Sequence, residues 1–486
     1  MPDAIDRLRQ ELSEPLDHPA PEILREHAIQ ALDWLLEHWK SLPREPVGRR
    51  ATGAAMKALL EQDPPEDGLG FEQAFTDFRE RVAAYAMRLN HPRFLAFIPS
   101  APTLYSAIAD FLVSGTNYFC GVWIEAAGAA QVERTVLGWF RRLLGMPSET
   151  RGIITTGGSE ANLTALVAAR EALGPMERER AVLYLSEQRH GSMDRGARIM
   201  GLSRERIRLI RTSADFRMDT DDLAQAIRHD RGQGLVPWVV SANAGATNTG
   251  AIDPLEDIAG VCRSQSIWFH VDAAYGWPAV LLPDGKKLLA GIEQADSATL
   301  DPHKWFAQPF ECGCVLVRNG KRLEDAFHIR PDYMQDVTGE PDEINFADHG
   351  LSLTRRFRAF KIWLSVRTLG LGWFRKLVER SCCLAHLAQH LLESAGCFEI
   401  VCPRQLSIVC FRYRPADRVL NAEELDALNL TLVEDLRLSG RGFISSTKLN
   451  GQVALRLCFV NWRTTAADVA EIVSLLASLG DQRLRK

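Results

Sequence analysis

One lysine stands in a setting that suggests chemistry. Lys304 lies between His303 and Trp305 in the stretch DPHKWF, directly after the short apolar run 297–300, which is typical of a buried strand. An amine in a partly dry site loses its proton more readily than in water and becomes a nucleophile. Taken alone, however, an exposed lysine in a turn is the stronger interpretation, so the assignment depends on the residues at other strand ends.

A carboxylate follows the preceding apolar run, at Asp272 in HVDAAYGW (270–277). A buried carboxylate is costly unless a cation or good hydrogen-bond donors satisfy it. The small side chains of Ala273 and Ala274 leave room beside it for something flat. A helix cap or a structural ion pair is the alternative interpretation of Asp272.

A turn with two glycines follows the first predicted strand, in TTGGSEANLTAL (155–166). Glycines allow a ligand to approach the backbone closely. Ser159 is expected to open a helix whose free N–H groups and dipole suit a phosphate. The turn matches neither the Walker loop nor the dinucleotide fingerprint, and alone it is slightly better interpreted as a plain turn with a serine cap.

Two further polar residues follow other predicted strands. His190 comes just after one of them in SEQRHGSMDRG (186–196), and alone it is better interpreted as structural. Thr247 lies in ANAGATNTG (242–250), whose small residues and hydroxyls are expected to line the floor of a cavity. Ligands of open α/β sheets bind outside the carboxyl ends of the strands, so these residues are expected to meet at one site.

Together these residues have the chemistry that pyridoxal 5′-phosphate (PLP) requires. The helix N-terminus would hold the phosphate, Lys304 would bind the cofactor covalently, and Asp272 would keep the pyridine nitrogen protonated. A histidine would stack on the ring face. The sequence therefore predicts a PLP site that contains no metal.

The elements that must position these residues are short apolar runs that alternate with helical stretches from about residue 151. They predict a mostly parallel sheet buried on both faces, an α/β architecture, with strands at 152–155, 181–185, 206–210, 238–241, 267–271, 297–300 and 314–317. Later strands are expected at 398–402, 407–413 and 453–460, followed by a helix with a capping box at Thr465 and Asp468. The predicted domains are an N-terminal helical segment (1–85), a large PLP-binding domain (86–370) and a small C-terminal α/β domain (371–486).

The motifs HVDAAY, DPHKW, TTGGSEANLTAL and RHGSMDRG resemble those of the group II PLP-dependent amino-acid decarboxylases, the aromatic-L-amino-acid decarboxylase family, from about His91 to the C-terminus. The resemblance implies fold type I, the aspartate aminotransferase-like fold, in a homodimer with the active site at the interface and the N-terminal segment wrapped around the partner subunit. His190 would stack on the ring and touch the substrate, and His303 would support the phosphate. The implied cofactor contacts are Gly158, Ser159, His190, Thr247, Asp272, Ala274, His303 and Lys304.

The same resemblance implies a catalytic tyrosine, Tyr333, in the polar loop RPDYMQDVTGEPDE (330–343). A phenol is a suitable acid for returning a proton to Cα after carbon dioxide leaves. Relatives that form aldehydes oxidatively tend to carry phenylalanine there, so Tyr333 favours simple decarboxylation. A loop tyrosine that packs on a neighbour is the alternative.

The region that matches the family's substrate pocket contains Phe97, Pro99, Ser100, Trp123 and Thr354. Thr354 stands where relatives usually carry glycine or serine, so it is expected to crowd the pocket, unless it only starts a helix. Glu125 is unexpected beside so much apolar sequence and either faces solvent or contacts a polar group of the substrate.

The chain as a whole excludes several classes of protein. Its 486 residues have a formal net charge of −5 and no basic excess, so nothing indicates nucleic-acid binding. No apolar run has the length of a membrane span, and the polar N-terminus is no secretory signal. The ten cysteines complete no zinc pattern and are expected to be reduced. A cytoplasmic enzyme with a small-molecule substrate is expected.

The expected reaction is PLP-dependent decarboxylation of an L-amino acid of the aromatic class (tryptophan, tyrosine, phenylalanine or dopa) to the amine and carbon dioxide. The alternatives are another PLP reaction, such as oxidative deamination, aminotransfer or carbon–carbon lysis, or a non-aromatic substrate. A binding protein that kept the fold, and a metal hydrolase using His190, Asp272 and His303, are less favoured.

Overall fold

The structure is a computed structural model that describes residues 2–16, 18–329, 332, 337, 340, 342–416 and 418–485. It contains two compact units, Met1–Met87 and Arg88–Lys486. Among the residues described, no helix is both long and apolar enough to cross a bilayer.

The first unit is helical. Trp34 packs edge-on against Phe75 and Phe78, with ring centroids 6.1 and 5.3 Å apart. No residue of the longest helix of the unit is buried, although that helix carries many apolar side chains. The helices are α1 (Pro2–Glu11), α2 (Pro21–Ser41), α3 (Gly53–Leu60) and α4 (Phe71–Asp77), the last continuing into a π-helical turn, Phe78–Val82.

The second unit is built on a seven-stranded sheet. Its strands are β1 (Arg151–Thr155), β2 (Ala181–Ser186), β3 (Ile207–Ile210), β4 (Val236–Asn243), β5 (Trp268–Asp272), β6 (Ser297–Leu300) and β7 (Gly313–Val317). Their order is β1-β7-β6-β5-β4-β2-β3, and only β7 runs antiparallel to its neighbours. The predicted central sheet of fold type I is therefore confirmed, and each predicted run overlaps one of these strands.

Helices connect and cover the strands of this unit. Most of the longer helices carry buried apolar side chains that pack with the sheet into one large core, whereas the last two helices belong to a second core. The helices of this unit are α5 (Leu104–Thr116), α6 (Trp123–Leu143), α7 (Gly158–Glu171), α8 (Pro175–Arg178), α9 (Gly191–Ile199), α10 (Thr220–Gly232), α11 (Leu255–Gln265), α12 (Gly285–Leu288), α13 (Lys321–Phe327), α14 (Ala359–Leu369), α15 (Leu371–Ser394), α16 (Ala422–Leu438) and α17 (Ala466–Leu484).

A smaller antiparallel sheet follows near the C-terminus, in the order β10-β11-β9-β8. Its strands are β8 (Phe398–Ile400), β9 (Ile408–Tyr413), β10 (Ser445–Leu449) and β11 (Gln452–Cys458), and with α15, α16 and α17 they enclose a second core. The predicted capping box opens α17, where the Asp468 N–H donates to Thr465 Oγ1 at 3.3 Å and the Thr465 N–H donates to Asp468 Oδ2 at 2.9 Å. The predicted domain boundary at residue 370 stays a prediction.

Candidate active site

The strand ends named above enclose one cavity of about 350 Å³. It lies where β1, β2, β4, β5 and β6 end, so parallel strands direct the turns that follow them to one place. The predicted cofactor residues that line it are Gly158, Ser159, His190, Thr247, Asp272, Ala274, His303 and Lys304, which is the complete predicted set.

Lys304 enters this cavity in contact with a carboxylate. Its Nζ lies 3.0 Å from Asp301 Oδ2, and the side chains of the two residues are 22% and 2% exposed. Trp305 is fully buried and stacks on Tyr275 with ring centroids 5.3 Å apart, so it packs in the core beside the site. The aspartate of DPHKWF, three residues before the lysine, is therefore part of the site, although no role for it was predicted from the sequence.

The glycine turn lies against the lysine segment. A Cβ on Gly158 would be 2.8 Å from Asp301 Oδ2, and one on Gly157 would be 3.1 Å from His303 Cε1. Gly157, not Ser159, is the N-cap of α7, so the alternative of a serine cap is wrong. The first N–H groups of a helix have no intrahelical acceptor, and those of Gly158 and Ser159 are available to an anion in the cavity.

His303 lies beside the same carboxylate. Its Nδ1 accepts a hydrogen bond from the Cys312 N–H at 3.2 Å, and its Nε2 is 3.6 Å from Asp301 Oδ2. Burial lowers the pKa of His303, and the nearby Asp301 opposes that change. The neutral ring therefore carries its proton on Nε2, on the side of the carboxylate.

Asp272 is buried and satisfied by neutral donors. Its Oδ2 accepts from Asn162 Nδ2 at 2.9 Å, and its Oδ1 accepts from the Ala274 N–H at 3.2 Å. The sequence predicted the need for such donors but missed Asn162. The spacing held a signal, because Asn162 lies four residues after Gly158 and helical spacing places both on one face of α7.

His190 is both the N-cap of α9 and part of the cavity wall. Its Nδ1 is 2.8 Å from Ser192 Oγ and accepts from the Ser192 N–H at 3.3 Å. Although His190 as a whole is exposed, partial desolvation of its ring lowers its pKa, and the carboxylate of Asp272 opposes this effect. The imidazole is thus fixed in orientation and favoured in its neutral form.

The loop that carries Thr247 is tied to the small sheet. Arg456 donates to the carbonyl oxygens of Thr247 and Asn248, the latter from Nε at 2.8 Å. Thr447 Oγ1 donates to Asn248 Oδ1 at 2.9 Å. The C-terminal strands therefore help to position this side of the cavity.

The five predicted substrate residues do not line the cavity. Of these five, Phe97 is 54% exposed and Thr354 is also exposed. Glu125, whose role was left open, is exposed as well. The Ser100 hydroxyl donates to the Val460 carbonyl at 2.7 Å. Two others are half-buried, namely Pro99 and Trp123. Tyr333 lies outside the described residues.

The cavity residues fit PLP. The Lys304 amine, the Asp272 acceptor and the N-terminus of α7 face one space of about 350 Å³, which suits a substituted pyridine with a phosphate. The glycine at position 158 keeps the turn within contact of Asp301, where a Cβ would intrude. When bound there, PLP would be held by Lys304 and by the α7 N–H groups, with Asp272 available to its ring nitrogen.

Comparisons with known proteins agree with this fit. The chain is 38% identical to an aromatic-L-amino-acid decarboxylase of Bacillus atrophaeus over 97% of this chain and 98% of that protein. It superposes on Oryza sativa TDC with PLP and tryptamine (TM-score 0.91, 27% identity, 97% of this chain and 99% of the other). It also superposes on Catharanthus roseus tryptophan decarboxylase in complex with L-tryptophan (TM-score 0.89, 27% identity, 96% and 100% covered). The profile of the pyridoxal-dependent decarboxylase conserved domain matches residues 54–414, and the chain belongs to this family of PLP-dependent carboxy-lyases.

Proposed function

We propose that this carboxy-lyase decarboxylates an aromatic L-amino acid to the corresponding amine and carbon dioxide. The observation that carries the proposal is the meeting of Lys304, Asp272 and His190 in one cavity at the strand ends. Among the relatives that share most of the chain, the Bacillus atrophaeus enzyme is named for aromatic L-amino acids, and the Catharanthus roseus enzyme is a tryptophan decarboxylase in complex with L-tryptophan.

The residues divide the work as follows. PLP, when bound, supplies the electron sink that accepts the charge left by carbon dioxide. Asp272 would hold a proton at the pyridine nitrogen, Lys304 would provide the amine that binds the cofactor, and Asp301 keeps that amine oriented. His190, fixed by Ser192, forms a wall against which the ring stacks.

The charges of the cavity favour a substrate with a neutral side chain. Lys304 is the one lysine or arginine in the described lining, whereas the carboxylates of Glu160, Asp272, Asp301 and Glu311 all contribute to it. A second carboxylate on the substrate, as in glutamate, would meet repulsion without a dedicated cation. An aromatic side chain avoids that cost.

A substrate screen tests the proposal. The holoenzyme is incubated with tryptophan, tyrosine, phenylalanine, dopa, glutamate and aspartate, and carbon dioxide, amine, aldehyde and peroxide are measured in each case. We expect equal amounts of amine and carbon dioxide from at least one aromatic amino acid. Turnover of glutamate or aspartate alone, or aldehyde with peroxide as the main products, would contradict it.

We also propose that Tyr333 returns a proton to Cα after decarboxylation. The support is its position in the loop 330–343, which matches the family's catalytic tyrosine. Tyr333→Phe should shift products from amine toward aldehyde and peroxide, with dissolved dioxygen as the oxidant and ammonia released, because the phenol no longer supplies the proton. An unchanged ratio of amine to aldehyde would show that Tyr333 does not supply this proton.

We propose that the working enzyme is a homodimer with the active site at the interface. On α5, Tyr105, Ile108, Phe111 and Leu112 are 43, 38, 69 and 45% exposed, and this spacing forms one apolar surface of a kind that monomers rarely expose. A second copy of the chain would cover it. Light scattering should give twice the chain mass of 54.2 kDa, and Phe111→Asp should lower the mass to one chain.

A composite site has a further consequence for mixed subunits. Phe97 lies outside the cavity lining of its own chain, and we propose that it contributes to the partner's site. Refolding the Lys304→Ala chain together with the Phe97→Asp chain should restore about a quarter of the wild-type activity. In a random mixture half of the dimers are heterodimers, and each heterodimer has one intact site of two. The pair Lys304→Ala and Asp272→Ala, which alters one cavity wall, should restore none. Recovery in both mixtures, or in neither, contradicts the composite site.

A cytoplasmic location remains a proposal. It is supported by the ten cysteines, all of which are free thiols, as is usual for proteins of a reducing compartment. Fractionation of cells that produce the untagged protein should recover it with cytoplasmic markers, and recovery with membranes or in the medium would contradict the proposal.

A further inference from the structure

A chain of hydrogen bonds leads from Asp272 into the core behind it. Asn162 contacts His270, with Oδ1 3.1 Å from Nε2. His270 Nδ1 is 2.9 Å from Ser297 Oγ, which accepts from Trp268 Nε1 at 2.8 Å. His270 and Ser297 are 1% and 0% exposed, so solvent does not complete these bonds.

The donor and acceptor of each bond follow from Asp272. A carboxylate offers acceptors only, so the atom of Asn162 that lies 2.9 Å from Asp272 Oδ2 is the amide nitrogen. The amide oxygen then faces His270 Nε2, which has to donate. The orientation of one amide is thereby fixed by the carboxylate that serves the cofactor ring.

His270 has one proton with which to meet this requirement. Burial lowers the pKa of His270 to about 4, so the ring is neutral near pH 7. With the proton on Nε2, Nδ1 accepts from the Ser297 hydroxyl, and the Ser297 oxygen accepts from the Trp268 indole. Every polar side-chain atom along this branch has a partner, which a buried network requires.

A second branch leaves the same amide. Asn162 Nδ2 also donates to Ser192 Oγ at 2.9 Å. The Ser192 hydroxyl is then directed at His190 Nδ1, 2.8 Å away, so the neutral His190 ring carries its proton on Nε2. One side chain therefore contacts the carboxylate of Asp272 and, through Ser192, the imidazole of His190.

We propose that Asn162 is a positioning residue that couples Asp272 to His190, holding the carboxylate in one orientation, directing the Ser192 hydroxyl at His190 and keeping His270 in its Nε2–H form. The proposal rests on the proposed function only in taking Asp272 and His190 as the residues that contact the cofactor ring. Without the amide, the carboxylate loses its side-chain donor, and Ser192 and His270 lose the partner that fixes their hydrogens.

The test combines two measurements. Nitrogen NMR of the full chain without PLP, with isotope-labelled histidine rings, reports the tautomer of each imidazole, and fluorescence titration gives the dissociation constant for PLP. In the wild type, His270 and His190 should each show a single Nε2–H tautomer at pH 7.5. In Asn162→Ala the His270 ring should populate the second tautomer, whereas His190 should keep its proton on Nε2 because its Nδ1 still accepts from the Ser192 N–H. The dissociation constant should rise about 10–100-fold, as expected for loss of a hydrogen bond to a charged group. Asn162→Leu, which fills the space of the asparagine side chain without its amide, should show the same changes in tautomer and dissociation constant.

Asn429→Ala is the matched control. Asn429 is a fully buried helical asparagine of α16 that bonds the carbonyls of Tyr413 and Leu425, remote from the cavity lining. Its loss should lower stability but leave both tautomers and the PLP affinity unchanged. A single His270 tautomer retained in both Asn162 variants, or an equal loss of affinity in Asn429→Ala, would overturn the proposal. Absence of aromatic decarboxylation by the wild type would refute the proposed function and leave the tautomer result standing.

Discussion

Lys304 Nζ lies 3.0 Å from Asp301 Oδ2, so the amine that we propose binds the cofactor is held by a carboxylate that is almost wholly buried. Among the described residues, the other oxygen of Asp301, Oδ1, has no hydrogen-bond partner. The same Oδ2 faces the position that a Cβ on Gly158 would occupy. The carboxylate of Asp301 thus lies between the Lys304 amine and the glycine turn. A shift of this carboxylate would therefore affect both the amine and the turn.

Lys304→Ala should abolish covalent cofactor binding and reduce turnover by about a thousandfold or more, because no other amine can replace it. Borohydride reduction followed by peptide mass mapping should find the cofactor on Lys304 in the wild type and on no peptide in the variant. The substitution also leaves Asp301 without its cation, which should lower the free energy of unfolding by about 1–3 kcal/mol.

Lys304→Arg separates these two effects. The guanidinium keeps a positive charge beside Asp301, so most of the stability should return, while covalent binding should not, because an arginine remains protonated. Restored turnover in Lys304→Arg would mean that the amine is not the group that binds the cofactor.

Gly158→Ala should weaken PLP binding. The added Cβ would lie 2.8 Å from Asp301 Oδ2 and 3.4 Å from Ala274 Cβ, so the turn or the carboxylate has to move. Overpacking of this kind costs about 1–3 kcal/mol, which corresponds to roughly a 5–150-fold rise in the dissociation constant measured by fluorescence titration. Gly191→Ala is the matched control, since it too starts a helix after a strand but meets nothing within 4 Å. Equal effects of both substitutions would refute the steric argument.

The sequence predicted the sheet, and it predicted residues that line the cavity, because both follow from local patterns. An apolar run that ends in a polar residue places Asp272, His190 and Lys304 at strand ends, and parallel strands bring such ends together. Strand β10 was missed, since its sequence SSTKL lacks an apolar pattern and it forms an edge of the small sheet.

Other features depend on contacts that no local pattern encodes. Asn162 and Asp301 read as ordinary polar residues, and their roles follow from neighbours more than 100 residues away or from the path of a turn. The predicted substrate residues Phe97 and Thr354 lie outside the cavity of their own chain, so their role depends on the proposed partner subunit.

Acid should destabilise the protein through His270. Burial lowers its pKa from 6.5 to about 4, so between these values the unfolded chain binds a proton there and the folded chain does not. The free energy of unfolding therefore loses nothing through His270 above pH 6.5, and it falls as the pH drops toward 4, by about 3 kcal/mol for this group. Other buried histidines act in the same direction, so denaturant titrations of the wild type and His270→Gln at pH 7.5 and 5 are compared. The variant should lose less stability between the two pH values; an equal loss would show that His270 is protonated in the folded state.

The ion pair of Glu133 and Arg355 should behave as one unit that supports the edge of the large sheet. Both side chains are 1% exposed, with Arg355 Nη2 2.5 Å from Glu133 Oε1. The Ile154 N–H donates to Glu133 at 2.8 Å, and Arg355 donates to the Ile154 carbonyl at 3.1 Å, so the pair satisfies the outer backbone groups of edge strand β1 just before the glycine turn. Removing one partner, in Glu133→Leu or Arg355→Met, should cost about 3–5 kcal/mol, because the other charge stays buried.

The double variant should lose about 1–3 kcal/mol, which is the cost of leaving the Ile154 N–H and carbonyl unsatisfied. This loss is smaller than the sum of the two single losses. Urea unfolding of the four proteins gives the coupling energy directly. The exposed pair of Arg414 and Glu399 is the comparison, with side chains 64% and 44% exposed, and its removal should cost at most about 1 kcal/mol. If the two single losses at Glu133 and Arg355 simply add, the carboxylate and the guanidinium act independently, and the support of β1 has to come from the surrounding apolar core instead.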